Sequence, residues 1–176
     1  MQRIITLDGT FSPLFAEIVK VASEVEIPYV CDLSDEVTIA TQSFRGVYRI
    51  DVSTSGSACS ASEWIERFRV EWEHDDFKKK FTPNLKKKRI ARHTLLPEWM
   101  PLYLGKSKNV SGRVLEHINL PLEKTTFALK LKARPEMKKY KLRLHALPVL
   151  VQNYDLIVPA FESALRSRFN PLIGKQ

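Results

Sequence analysis

The chain has few cysteines and no long apolar run, and these two absences exclude several classes of protein. Its two cysteines, Cys31 and Cys59, suit neither a disulfide framework nor a CxxC metal site. No apolar run reaches the ~18 residues that a membrane-spanning helix needs. The first residues also lack the continuous apolar core of a signal peptide. We therefore expect a cytoplasmic chain with no membrane partner.

Positive charge is what the sequence has in excess. Its 176 residues include 28 Lys and Arg against 20 Asp and Glu, for a net charge of +8. Most of the excess lies in two runs, 78–92 and 130–143. One such run is as typical of a solvated surface as of a polyanion partner, but two runs favour nucleic acid. The first run supplies the predicted contacts: Lys78, Lys79, Lys80, Lys86, Lys87, Lys88, Arg89 and Arg92.

The spacing of apolar residues predicts an α+β domain with a small, mostly antiparallel sheet flanked by helices. At 176 residues the chain is long enough for one domain with an apolar core. Ser62 is expected to cap a helix that places Trp64, Phe68 and Trp72 on one face. The predicted strands are 3–7, 29–31, 37–39, 44–53, 102–104, 126–133 and 142–151. The predicted helices are 15–25, 62–77, one following Gly105, and 155–169.

The predictions about function depend mainly on the stretch 102–117, LYLGKSKNVSGRVLEH. It begins as a short apolar strand, which Gly105 is expected to end. Either Ser107 or Asn109 then caps a helix.

Four side chains of this stretch can meet beyond the end of the strand. Arg113 and His117 are four residues apart, so a helix places both on one face. With Tyr103 and Lys106 they bring a phenol, an ammonium, a guanidinium and an imidazole together, which suits a phosphate ester. The simpler alternative is an ordinary strand and amphipathic helix on which Arg113 and His117 are solvated.

Two tyrosine motifs add to this pattern. GVY at 46–48 and YLG at 103–105 lie on separate predicted strands, and Arg113 and His117 follow the second tyrosine by ten and fourteen residues. Further along are FESAL at 161–165 and FNPL at 169–172. In order and spacing these motifs resemble the GIY-YIG nuclease superfamily, and in particular its restriction-endonuclease-like branch.

The resemblance implies an endonuclease of the restriction or defence type that hydrolyses phosphodiester bonds in double-stranded DNA. Glu162 would bind Mg²⁺ (or Mn²⁺), which keeps most of its waters and bridges to phosphate. Arg113 would neutralise charge on the phosphate with its planar fork. Cutting both strands takes two active sites, which favours a homodimer.

The resemblance leaves two roles open. Either Tyr48 or Tyr103 would take a proton from the attacking water. A tyrosine pKa near ~10 is too high for this at neutral pH, so nearby positive charge must stabilise the phenolate, and Lys106 and the metal are available. His117 would either orient a tyrosine or relay its proton.

The chain departs from the family pattern in two places. About fifty residues separate the tyrosine motifs instead of about ten, so 54–100 is predicted to be a basic insertion within a domain of 1–176. Residues 1–42 form an N-terminal extension. Gly174 stands where the family often has an asparagine, for which Asn170 is a nearby substitute. The alternative function is a non-catalytic nucleic-acid-binding module that keeps the fold.

Overall fold

The structure, a computed structural model, describes residues 1–77 and 81–174. It confirms the α+β class, with an antiparallel sheet flanked by helices. None of the helices within these two ranges is long and apolar enough to cross a membrane. The α-helices are α1 (Gln2–Glu24), α2 (Glu36–Ala40), α3 (Ala61–Trp72), α4 (Lys87–Ile90), α5 (Val110–Asn119) and α6 (Tyr154–Phe169). Short 3₁₀ turns occupy Asp75–Phe77, Leu131–Ala133 and Pro135–Lys139.

The strands form two sheets. They are β1 (Tyr29–Asp32), β2 (Gly46–Ser53), β3 (Asn84–Leu85), β4 (Trp99–Ser107), β5 (Leu142–Pro148) and β6 (Ile173–Gly174). The main sheet has the order β1-β5-β2-β4, and each neighbouring pair is antiparallel. The small second sheet pairs β3 with β6. The connection between β2 and β4 is long, as predicted, and contains α3, β3 and α4.

The main sheet separates two apolar clusters, because alternate side chains of a strand point to opposite faces. On β2, Tyr48 and Ile50 pack in the cluster that also contains α3 and α5, whereas Val47 packs in the cluster with α1 and α6. β4 divides in the same way, with Tyr103 in the first cluster and Leu104 in the second. A site at the edge strand β4 can therefore draw side chains from both faces of the sheet.

The predicted apolar face of α3 is confirmed. Trp64, Phe68 and Trp72 are all buried and stack on one another along the helix. The helix begins one residue earlier than expected, because Ser60 and Glu63 form a reciprocal capping box. The predicted cap at Ser62 is therefore wrong.

Three predicted strands are wrong. Residues 3–7 belong to α1, which continues the helical spacing of 15–25 towards the N-terminus. Residues 37–39 lie in α2, whose first turn is capped by Asp35 accepting from the N–H of Thr38. Residues 126–133 form no strand, because Lys130 adopts a left-handed backbone conformation and the N–H of Leu129 binds a histidine ring.

Candidate active site

The two motif tyrosines lie side by side because the strands that carry them are neighbours. Tyr48 on β2 is opposite Gly105 on β4, and Ile50 is opposite Tyr103. The centroids of the two phenol rings are 6.1 Å apart. Tyr48 is 0% exposed and Tyr103 is 6% exposed. Of the two phenols, Tyr103 therefore has the contact with solvent.

Gly105 does not end its strand, which corrects the prediction, because β4 continues to Ser107. A Cβ atom built on Gly105 would lie 2.7 Å from Oη of Tyr48 and 2.9 Å from Cε1 of Tyr103. Both distances are too short for real contacts, so any side chain here would displace a phenol. Glycine is required at this position by the two tyrosine rings and not by a turn.

Helix α5 begins directly after the edge strand. Of the two predicted caps the structure has Asn109, whose Oδ1 accepts from the N–H of Gly112 at 3.1 Å. The helix then directs Arg113 and His117 towards the tyrosines, since residues four apart share a face.

His117 connects α5 to both tyrosines. Its Nε2 lies 2.8 Å from Oη of Tyr48, and its ring centroid lies 4.7 Å from that of Tyr103. The N–H of Leu129 donates to Nδ1 at 2.9 Å, so the proton of the neutral imidazole is on Nε2 and is donated to Tyr48. Burial and the charge of Arg113 hold the pKa of His117 well below its usual value, so the ring is neutral.

Arg113 is half-buried and held from two sides. Its guanidinium donates to the carboxylate of Glu116, one turn along α5, and to the backbone carbonyl of Phe127. Two fixed contacts orient the planar guanidinium, which reduces the entropy that it loses on binding a phosphate.

The two phenols titrate differently because their neighbours differ. Burial raises the pKa of Tyr48 well above its usual value, the charge of Tyr103 adds to this, and Arg113 opposes it. Burial also raises the pKa of Tyr103, but both Arg113 and Arg166 lower it, while Glu162 raises it. The nearby hydroxyl of Tyr48 further lowers the pKa of Tyr103. The phenolate of Tyr103 is therefore the better supported of the two.

Glu162 reaches the same edge of the sheet from the opposite face. It is 6% exposed, and its carboxylate accepts from the guanidinium of Arg166, one turn along α6. Burial raises the pKa of Glu162, whereas the charges of Arg166 and Lys106 and a hydrogen bond from the backbone of Lys106 lower it. Arg166 also lies 3.4 Å from the carbonyl oxygen of Leu104. The carboxylate therefore lies among cations.

The first basic run lies next to this carboxylate. Helix α4 is placed there by the pairing of β3 with β6, and Arg89 lies close enough to Glu162 and Arg166 for their charges to shift its pKa. Lys78, Lys79 and Lys80 lie outside the described residues. Of the other predicted nucleic-acid contacts, Lys87, Lys88 and Arg92 are exposed, and Lys86 and Arg89 are half-buried.

The second basic run contributes less surface charge than the sequence predicts. Arg134 is 2% exposed, donates to three backbone carbonyls, and stacks on Trp72. Lys130 is likewise buried and donates to two carbonyls of the preceding loop. Three further cations of the run, Lys132, Lys139 and Arg143, form ion pairs with Glu36, Glu71 and Asp51. Lys130 and Arg134 therefore serve the fold, whereas Lys132 and Lys139 form ion pairs at the surface.

The structure places the six predicted active-site residues around β4, four on the face of α5 and two on the face of α6: Tyr48, Tyr103, Arg113 and His117, and Lys106 and Glu162. It adds Arg166 and Arg89, which sequence reasoning did not place in the site. The spacing of four between Glu162 and Arg166 was a visible signal, but it also fits an ordinary helix ion pair. Nothing in the spacing along the chain connects Arg89 to Glu162.

A divalent cation would fit this site if a bound substrate supplied its other ligands. Within residues 1–77 and 81–174, no group of three or more His, Cys, Asp and Glu side chains could hold a metal. Glu162 is thus a single acidic ligand, and its oxygens retain acceptor capacity beside the bonds to Arg166 and Lys106. Mg²⁺ is commonly bound by one or two carboxylates together with substrate phosphates. The donor set fits that mode of binding.

Comparison with known proteins found no match to any family model, curated protein or solved structure.

Proposed function

We propose that this chain is a metal-dependent endonuclease that hydrolyses phosphodiester bonds in DNA, of the restriction or defence type. The observation that carries the proposal is the meeting of one phenol, two guanidinium groups and one carboxylate at the edge of β4, from Tyr103, Arg113, Arg166 and Glu162. Phosphodiester hydrolysis needs a base for the attacking water and positive charge around the phosphate, and these groups supply both. The motif resemblance supports the same reaction.

Tyr103 is proposed to accept the proton of the attacking water. It is the phenol of the pair that contacts solvent, and its phenolate is favoured by Arg113, Arg166 and the hydroxyl of Tyr48. Its pKa is nevertheless raised in the free protein by burial. A bound phosphate would bring the water to the phenol while Arg113 and Arg166 hold the negative charge.

His117 and Tyr48 are proposed to position Tyr103. Because Nδ1 of His117 accepts from Leu129 and Nε2 carries the proton, His117 donates to Tyr48 and has no lone pair left for the tyrosine proton. This arrangement favours orientation over proton relay. In this arrangement the hydroxyl hydrogen of Tyr48 points away from His117. Tyr48 can then donate that hydrogen to Tyr103.

Arg113, Arg166 and Lys106 are proposed to neutralise charge on the phosphate. Arg113 and Arg166 bring planar forks from the two faces of the sheet, and Lys106 adds an ammonium on the strand between them. Glu162 would bind Mg²⁺ or Mn²⁺ jointly with the substrate. When bound, the metal would supply charge neutralisation at the phosphate and the leaving oxygen.

DNA is the proposed polyanion because the first basic run lies beside this site. Lysines and arginines there give salt-dependent contacts to the backbone that do not depend on sequence. Neutralising Lys86, Lys87 and Lys88 together is expected to weaken DNA binding and to flatten its dependence on salt. An unchanged salt slope would argue against contact through this segment.

A homodimer is the proposed assembly, and the N-terminal half of α1 is its proposed interface. Ile4, Leu7, Phe11 and Leu14 are between 37% and 64% exposed on this helix. Folded monomers rarely expose so many large apolar side chains together. Leu14→Glu should shift the mass measured by light scattering from dimer to monomer, and Leu95→Glu, at another exposed apolar position, should not. A monomeric wild type would refute the proposed homodimer.

The experiment that tests the function is cleavage of plasmid DNA by the wild type and by Glu162→Gln, with Mg²⁺ and with EDTA. Glutamine keeps an acceptor for Arg166 and removes the charge, so the variant should fold and lose cleavage. Glu66→Ala, at an exposed position on α3, is the control and should cleave like the wild type.

The outcomes separate the two candidate functions. Cleavage by the wild type that needs both the metal and Glu162 would support the nuclease, and discrete fragments would further indicate sequence specificity. Tight, salt-sensitive binding without cleavage of several plasmids would instead favour the non-catalytic binding module.

A further inference from the structure

Helix α4 is held firmly against α6, although the two are far apart in sequence. Leu85 pairs with Ile173 in the small sheet, and the N–H of Lys86 donates to the carbonyl of Leu172 at 2.9 Å. A second attachment lies beyond the helix, where Nε2 of His93 is 2.8 Å from the carbonyl oxygen of Asn170. Contacts before and after α4 therefore hold this part of the basic insertion beside the proposed active site.

Gly174 leaves space that Arg89 occupies. A Cβ atom built on Gly174 would lie 2.8 Å from Nη1 of Arg89. The backbone of Gly174 does not need a glycine, because its φ is outside the left-handed region. The absence of a side chain at Gly174 therefore makes room for the guanidinium of Arg89.

A cleft of about 220 Å³ lies between α4 and α6. We call it the α4–α6 cleft. Among the residues that the structure describes, its lining includes four cations and two hydroxyl groups and no acidic residue: Lys88, Arg89, Arg92, Arg166, Ser163 and Ser167. Glu162, whose carboxylate binds Arg166, is adjacent to the cleft and does not line it.

The charges of this cleft favour an anion. Burial and the charge of Arg166 both lower the pKa of Arg89, whereas the charge of Glu162 raises it. A bound anion would relieve the repulsion between Arg89 and Arg166 and accept hydrogen bonds from both guanidinium forks. Serine hydroxyl groups and forked guanidinium groups together suit the several oxygens of a phosphate group.

We infer that the α4–α6 cleft binds a second backbone phosphate of the nucleic acid, one that flanks the phosphodiester being cleaved, with Arg89 as its main contact. The inference rests on the proposed function, since it assigns this cleft to the same substrate. Because Arg166 belongs to both the cleft and the ion pair with Glu162, occupation of the cleft would help to hold the substrate in register at Glu162. The basic insertion would thus fix the register of the substrate as well as attract it.

The test measures binding of a short fluorescent DNA duplex by the full chain in EDTA, across a series of salt concentrations. Arg89→Ala should bind about tenfold more weakly and should reduce the slope of log K against log salt by about one. Arg89→Lys keeps the charge, so it should retain the dependence of binding on salt. It lacks the planar fork of arginine, so it should keep only part of the affinity.

Gly174→Ala tests the same contact without changing the charge of the protein. Its methyl group meets the flexible end of Arg89, so the chain should fold while the guanidinium is displaced from the cleft. It should weaken binding as Arg89→Ala does. Lys20→Ala, an exposed position on α1, removes the same charge as Arg89→Ala and should leave affinity and slope unchanged.

A second measurement separates failure of this inference from failure of the proposed function. Titration of the wild type with inorganic phosphate should shift the side-chain NMR signals of Arg89 and Arg166. If the wild type binds and cleaves DNA while Arg89→Ala and Gly174→Ala bind like it, the flanking-phosphate site is refuted and the nuclease stands.

The remaining outcomes also decide the inference. If the wild type fails to bind DNA but phosphate shifts both signals, the cleft serves a small phosphorylated ligand, and the assignment to a nucleic-acid backbone is refuted with the proposed function. If neither DNA nor phosphate is bound, the cleft is not an anion site.

Discussion

Replacing each motif tyrosine by phenylalanine should separate structural support from chemistry. The hydroxyl of Tyr48 is fully buried and accepts from Nε2 of His117 at 2.8 Å. Tyr48→Phe leaves that N–H buried without an acceptor, so the free energy of unfolding should fall by about 1–3 kcal/mol. Tyr103 is also buried, but at 6% exposure it is the phenol nearer to solvent, so the loss in Tyr103→Phe should be smaller, about 0.5–1.5 kcal/mol.

The effects of the two substitutions on cleavage should have the opposite order to their effects on stability. A general base typically contributes about 10²–10⁴-fold to the rate. Tyr103→Phe should therefore lose cleavage by that factor while remaining nearly as stable as the wild type. Tyr48→Phe should keep measurable cleavage, because it removes a positioning group and leaves the proton acceptor in place.

Urea unfolding followed by circular dichroism, together with plasmid cleavage in Mg²⁺, would measure both effects. Tyr29→Phe is the control, since Tyr29 is 56% exposed on β1 and should change neither quantity. Equal unfolding free energies for Tyr48→Phe and the wild type would refute the buried hydrogen bond from His117. Loss of cleavage in Tyr48→Phe with full cleavage in Tyr103→Phe would refute the assignment of Tyr103 as the proton acceptor.

Three further predictions follow from contacts at the same edge of the sheet. Gly105→Ala should lower the free energy of unfolding by about 1–3 kcal/mol in the same urea assay, because its methyl group would overlap both phenols, and an unchanged value would contradict that crowding. The pKa of His117 is depressed in the folded state, so below pH ~6.5 the unfolded chain binds a proton that the folded chain does not. Stability should therefore fall by about 1 kcal/mol as the pH drops from about 6.5 to 5.5, with the slope approaching about 1.4 kcal/mol per pH unit below that, and His117→Gln should lose this contribution. Mn²⁺ should bind weakly to the protein alone in calorimetric titrations and more tightly with DNA present, because Glu162 is a single ligand among cations; equal affinity in both titrations would exclude joint binding.

The α+β class and several elements could be predicted from sequence because their signals are local. The spacing of Trp64, Phe68 and Trp72 predicts the buried face of α3, and alternation predicts the strand that carries Tyr48. The spacing from Tyr103 to Arg113 and His117 is also local, because one strand and the helix that follows it fix their relative positions.

Two of the wrong predictions have a different origin. Residues 126–133 alternate like a strand, but the chain turns at Lys130, whose ammonium binds two carbonyls, and the N–H of Leu129 is taken by His117. Gly105 looks like a strand end, yet it is a packing requirement of two rings. In both cases a residue outside the local stretch determines the conformation. The spacing of apolar residues within the stretch carries no information about such a partner.

By itself, the sequence determined which residue types stand at which spacings, and hence the fold class, the shared face of Arg113 and His117, and the concentration of charge in the first basic run. The tertiary structure alone decided how those groups act on one another. The pairing of β3 with β6 brings Arg89 to Gly174 and Glu162, and the N–H of Leu129 sets the tautomer of His117. These contacts join segments far apart in the chain, so they depend on how the whole sheet packs and not on any local pattern.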